Sequence, residues 1–152
     1  MYFEGTVNIN APRKAVWEFL IDPHAVSQCA PGASSVEVVV PNKRFRVGVA
    51  LGLGSVKVKF MMDVEFVELE EPNRAKLKAH GTAPGSATDV VSVMILADAP
   101  DGSTELQWSA DVNIVGTIAS LATRLAPRHR RWPGIGNRAA SGQYTKMSLT
   151  GC

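Results

Sequence analysis

The chain has 152 residues, 45% of them hydrophobic and 20% charged, which suits one domain with a real core and excludes a chain kept disordered by its charge. The net charge of +2 hides an uneven distribution: all fourteen acidic residues lie at or before Asp111, so residues 1–123 carry −4 and residues 124–152 carry +6. No apolar run approaches the ~20 residues that span a bilayer. Two cysteines, Cys29 and Cys152, make no disulfide framework, and the start MYFEGTV has no leader pattern, so a reducing cytoplasmic setting is expected.

Tyr2 to Ile9 alternates loosely, with Phe3, Val7 and Ile9 on one side, and reads as a first strand. Asn10-Ala11-Pro12 punctuates it. Proline tolerates a first helical turn, so a short helix is expected through Leu20 with Val16, Trp17 and Leu20 facing inward. Asp22-Pro23 repeats the start signal for a second short helix ending near Cys29, before Pro31-Gly32. Six strand candidates follow. Val36, Val38 and Val40 alternate, and Phe45, Val47, Val49 and Leu51 take odd positions in the next run. After a Gly52-Leu53-Gly54 turn comes the clearest pattern in the chain. Val56, Val58, Phe60, Met62, Val64 and Phe66 share one face of a strand, and Lys57, Lys59, Asp63 and Glu65 share the other, with Met61 the exception.

Ala75, Leu77 and Ala79 alternate against Arg74, Lys76, Lys78 and His80, a less bulky inner face where a sheet leaves space. The run from Ala87 to Ala97 is apolar on both parities, which predicts that both of its faces are covered. Leu106, Trp108, Ala110, Val112 and Ile114 alternate in the last strand. Seven strands with one dry face need a larger cover than two short helices. Ile118, Leu121, Ala122 and Leu125 have amphipathic helical spacing, and Gly116 lets the chain turn back across the sheet. Pro127 and Pro133 then break the pattern, and the tail from 127 to 152 reads as irregular and basic.

The order strand, two short helices, six-stranded meander and C-terminal helix resembles the α+β helix-grip fold of the START-like superfamily, shared with polyketide cyclases. Closer motifs narrow the resemblance: Phe3-Glu4-Gly5, Ala11-Pro12 with Val16-Trp17, Asp22-Pro23, Cys29-Ala30-Pro31-Gly32 followed by Glu37, and Gly116 with Leu121 and Arg124-Leu125. Together these are similar to the CoxG family of carbon monoxide dehydrogenase subunits over about residues 1–126, leaving 127–152 as a separate basic tail. The resemblance implies a cytoplasmic accessory protein, peripheral at the inner face of the cytoplasmic membrane, that recruits a molybdenum hydroxylase of the carbon monoxide dehydrogenase type. It also implies an apolar ligand, a quinone or lipid, between sheet and C-terminal helix, with no cofactor required. Family members continue that last helix well past the matching Arg-Leu pair. Its truncation near residue 126 points to a reading-frame shift or truncation near Leu125.

Candidate lining residues for the ligand are Phe45, Val47, Val58, Phe60, Met62, Val64, Leu77, Met94, Leu106, Trp108 and Leu121, apolar on the inward parity, where Met adapts and aromatics stack. Candidate membrane or partner contacts are Cys29, the turn leucines Leu51 and Leu53, and the cluster Arg124, Arg128, Arg130, Arg131 and Trp132, which would suit an anionic lipid surface. His24, His80 and His129 are scattered, and no metal-ligand spacing, nucleophile elbow or nucleic-acid motif occurs. The sequence therefore favours a non-enzymatic binding protein. The alternatives are a small cyclase- or hydratase-type enzyme using the same cavity, which needs an ionisable group on the apolar face, and a general hydrophobic-ligand carrier or chaperone-like domain.

Overall fold

The computed structural model describes residues 1–29, 32–53, 55–120 and 146–147. In chain order the elements are β1 (Tyr2–Ile9), α1 (Arg13–Ile21), α2 (Pro23–Cys29), β2 (Ala33–Val40), β3 (Arg44–Leu53), β4 (Val56–Glu70), β5 (Arg74–Ala83), β6 (Ser86–Asp98) and β7 (Thr104–Gly116). A two-residue strand β8 (Lys146–Met147) follows. The sheet order is β2-β3-β4-β5-β6-β7-β1-β8. Strands β2 to β7 form the expected antiparallel meander, β1 pairs antiparallel with β7, and β8 lies parallel to β1 beside Asn8 and Ile9. This is an α+β fold: an open antiparallel sheet of seven main strands with two short helices.

Register turns the parity of each strand into one continuous inner face. One row across the sheet runs Val112, Val90, Ala79, Val64, Phe45 and Val38; the next runs Ile114, Thr88, Gly81, Met62, Val47 and Val36. Strand β4 is the longest at 15 residues, four more than its clean alternation predicts, because a bulge between Phe66 and Glu68 re-aims the chain and lets pairing with β5 continue to Glu70. Leu51 and Leu53 belong to β3, opposite Val58 and Val56, rather than to a turn as expected: ladder pairing carries the strand two residues further, so the connection is tighter. Gly116 ends β7 at φ 98, and a Cβ there would fall on the carbonyl oxygen of Gly85. Only glycine fits this corner, where the Thr117 N–H donates to the same Gly85 oxygen at 3.1 Å.

Helix α1 starts one residue later than its proline suggests. Pro12 has an extended conformation outside the helix, and its carbonyl accepts the Val16 N–H at 3.1 Å. Asp22 serves both helices: its N–H closes α1 on the Phe19 carbonyl, and its carboxylate accepts the His24 N–H at 3.0 Å to cap α2. The inward residues of α1, Val16 and Trp17, are 0% and 2% exposed against Val7, Ile9, Ala75, Leu96 and Leu106, with Leu20, Met94 and Trp108 packed around them. Each such side chain contributes about 1.5–3 kcal/mol by leaving water. Thr104, buried in the same region, donates its hydroxyl to the Ala11 carbonyl at 2.8 Å and ties β7 to the start of α1.

The outer face is polar and ordered by cross-strand charge. Arg46 contacts Asp63 at 3.0 Å, His80 contacts Asp89 at 2.6 Å, and Arg74 pairs with Glu68. The hydrogen bond to Asp63, and then its charge, raise the Arg46 pKa above its ordinary value. The expectation that both faces of β6 are covered is not met. Val91 and Ile95 are 38% and 42% exposed on the outer face, lying between Lys78 and Arg74 of β5 and Asp111 and Gln107 of β7, and no described element packs over them. Their β-branched side chains favour a strand on the wet side as well as the dry one, which is why parity misleads there.

Residues 119–120 are helical and Ile118 is buried, at the point where the covering helix is expected to begin. The rest of the stretch to Ala126, its truncation, and the basic tail apart from β8 lie outside the described residues.

Candidate functional site

A trough of small side chains crosses the middle of the inner face. It is built from Ala110 of β7, Ser92 and Thr88 of β6, and Ala79 and Gly81 of β5, which the register brings side by side. Phe66, Val64, Met62 and Phe60 of β4 wall it on one side, and Met94 and Trp108 border it toward α1. The trough exists because three adjacent strands place Ala, Gly, Ser and Thr at inward positions, where their neighbours place Leu, Phe and Met. Gly81 also leaves room for the Met62 thioether to lie across β5, since a Cβ at that position would strike it.

Ten of the expected lining residues share this face. Phe60 and Val64 are buried, Phe45, Val47, Val58, Met62, Leu77, Met94 and Trp108 are half-buried, and Leu106 belongs to the packed cluster under α1. The Phe45 ring packs on Phe66 with centroids 6.0 Å apart, an aromatic pair on the β3–β4 wall. Leu121 lies outside the described residues, as do Arg124, Arg128, Arg130, Arg131 and Trp132. Cys29 is half-buried at the end of α2 and is not a free thiol. Leu51 and Leu53 are placed by their backbones at the far end of β3. Sequence reasoning missed Thr88, Ser92 and Ala110. The only signal for them is their smallness at an inward parity, and it becomes readable once the strands are aligned.

The hydroxyls on the inner face are already engaged. Ser92 donates to the Ser109 carbonyl at 2.8 Å, Thr88 to the Asn113 carbonyl at 3.1 Å, and Ser86 contacts the Thr117 hydroxyl at 3.2 Å. Trp108 differs. Its Nε1 is buried and has no hydrogen-bond partner, which costs roughly 1–3 kcal/mol for a buried donor. The indole lies over Gly5, where a Cβ would sit 2.8 Å from Nε1, so the glycine gives the ring its seat.

No Asp, Glu, Lys, Arg or His of the described residues projects into the trough. His80, Asp89 and Asp63 are on the opposite parity, and Asp98, at the α1 end of β6, faces Arg13 at 3.4 Å. Among the described residues no group of three His, Cys, Asp or Glu side chains could hold a metal, and no helix is long and apolar enough to cross a membrane. A second concavity of about 300 Å³ lies between α2 and β2, lined by His24, Ser27, Gln28, Ala33, Ser34, Ser35 and Val36. It is polar and sits at the edge of the sheet, apart from the trough.

A curved antiparallel sheet gripping an apolar face, with two short helices after the first strand, defines the START-like helix-grip class. Solved structures agree on the fold. A conserved protein from Geobacillus kaustophilus superposes with a TM-score of 0.73 at 22% identity, over 82% of this chain and 81% of that one. A START superfamily protein from Mycobacterium smegmatis gives 0.61 at 15% identity, over 82% and 86%. An aromatase/cyclase from Streptomyces gives 0.61 at 15% identity, over 84% and 85%. No curated protein matches the chain. The model of the CoxG family of carbon monoxide dehydrogenase subunits matches residues 5–130, and the chain belongs to that family.

Proposed function

We propose that this protein is a non-enzymatic accessory protein that holds a lipophilic molecule, a quinone or lipid, in the inner-face trough and recruits a molybdenum hydroxylase of the carbon monoxide dehydrogenase type to the membrane. The observation that carries the ligand reading is the trough itself: small side chains at Ala79, Gly81, Thr88, Ser92 and Ala110, walled by aromatic and Met side chains and free of charged groups among the described residues. Such a surface rewards an apolar body by removing it from water at about 25 cal/mol per Å² and offers no acid or base for chemistry. The family supports the hydroxylase as partner.

A second reading, a cyclase- or hydratase-type enzyme, draws on the likeness to the aromatase/cyclase, which concerns the fold alone. It requires an ionisable group in the trough, and His80 and Asp89 point the other way. The test is to purify the protein from its native cells, extract it with organic solvent and identify bound molecules by mass spectrometry. A quinone or lipid at near one-to-one stoichiometry is expected. A consistently empty protein that also fails to take up added quinone or lipid would overturn the ligand reading, and a pull-down that recovers no hydroxylase would overturn the partner.

A further inference from the structure

The geometry points to a neutral lipophile carrying a hydrogen-bond acceptor, such as a carbonyl oxygen, as the ligand class of the trough, with the Trp108 indole N–H as the group that recognises that acceptor. This rests on the ligand reading above and deepens it. The inference comes from accounting for every polar group on the inner face. The hydroxyls of Thr88, Ser92 and Thr104 already donate to backbone carbonyls, and the Ser86 hydroxyl is engaged with Thr117. One donor is left over, Trp108 Nε1, buried and without an acceptor.

Trp108 stands at a useful place for this task. In its row of the sheet it lies between Gly5 and Met94, and the next row of the same strands holds Ala110 and Ser92, two of the small residues that open the trough. Its ring is seated on Gly5 and packs against the closed cluster under α1, so the indole is fixed before any ligand arrives. A preorganised donor in a dry setting gains more from an acceptor than a mobile one in water, because it has no rotamer freedom to lose and no hydration to give up. The same surroundings disfavour an ionic ligand, since no described inner-face residue offers a counter-charge beside the trough.

The probes are 2-acetylnaphthalene and 2-isopropenylnaphthalene, which share a shape and differ in C=O against C=CH2. Affinities of both are measured by fluorescence titration for the wild type and for Trp108→Phe. The expected result is that the affinity ratio, ketone over hydrocarbon, falls roughly tenfold in the variant while hydrocarbon binding is nearly unchanged. Should Trp108→Phe fail to fold, 3-benzothienylalanine at position 108 keeps the ring shape, replaces the N–H by sulfur and decides the matter with the same ratio. An unchanged ratio in the folded variant overturns the role of Trp108 and leaves the ligand reading standing. Failure of both probes to bind the wild type saturably overturns the ligand reading, and this inference with it.

Discussion

At the α1 end of the inner face, Val7, Ile9, Leu96 and Leu106 meet Val16 and Trp17 in a closed cluster. Two rows further along the same strands, β5, β6 and β7 place Ala79, Gly81, Thr88, Ser92 and Ala110 on that face. Both regions share one sheet, one alternation and one register. What separates them is side-chain volume and whether α1 reaches across, so burial at one end supplies stability while small residues in the middle reserve space. A sheet that packed both regions equally would be a more stable protein with nowhere to put a ligand.

Substitutions can break or sharpen this contrast. The largest effect is expected from Trp17→Ala, which empties the closed cluster and should cost about 3–5 kcal/mol in urea unfolding. Gly116→Val follows: a positive φ alone costs a non-glycine residue about 1–3 kcal/mol, and the Cβ also meets the Gly85 oxygen, so the β7 corner should yield and the unfolding midpoint should drop clearly. The direct comparison uses one change in two places. Ala75→Leu, in the closed cluster, should destabilise by about 1–3 kcal/mol through overpacking, whereas Ala110→Leu, in the trough, should stay within about 0.5 kcal/mol of wild type. Equal costs at the two positions would mean that the trough is packed like the core. The smallest effect belongs to the outer face, where Ile95→Thr should change stability by less than about 0.5 kcal/mol, since its side chain is already 42% exposed.

Much of this arrangement was readable before the strands were aligned. The parity of Val56 to Phe66 named the inward side of β4 correctly, Pro12 and Asp22-Pro23 marked both helices, and Gly116 marked the corner. Large apolar residues at period two carry that information because an unpaired position on the wrong face would expose them. The trough was legible only in outline, from the small inward residues Ala75 and Ala79. Ser92, Thr88 and Ala110 are tolerated on either face of a strand, so nothing local says which side they take, and only the register of three strands makes them neighbours. Val91 and Ile95 misled for the opposite reason, being apolar residues on a wet face. The spare donor on Trp108 could not be read at all, since it depends on which hydroxyls and carbonyls find each other.

The central claim is that the middle of the inner face is a binding space. Titrating the neutral fluorescent lipophile Nile red into wild type and Ala110→Leu, with unfolding of both followed in urea, tests it most directly. The account predicts one saturable site in the wild type and roughly tenfold weaker binding in the variant at nearly unchanged stability. Binding of equal strength to both proteins, or no saturable binding to either, would contradict it.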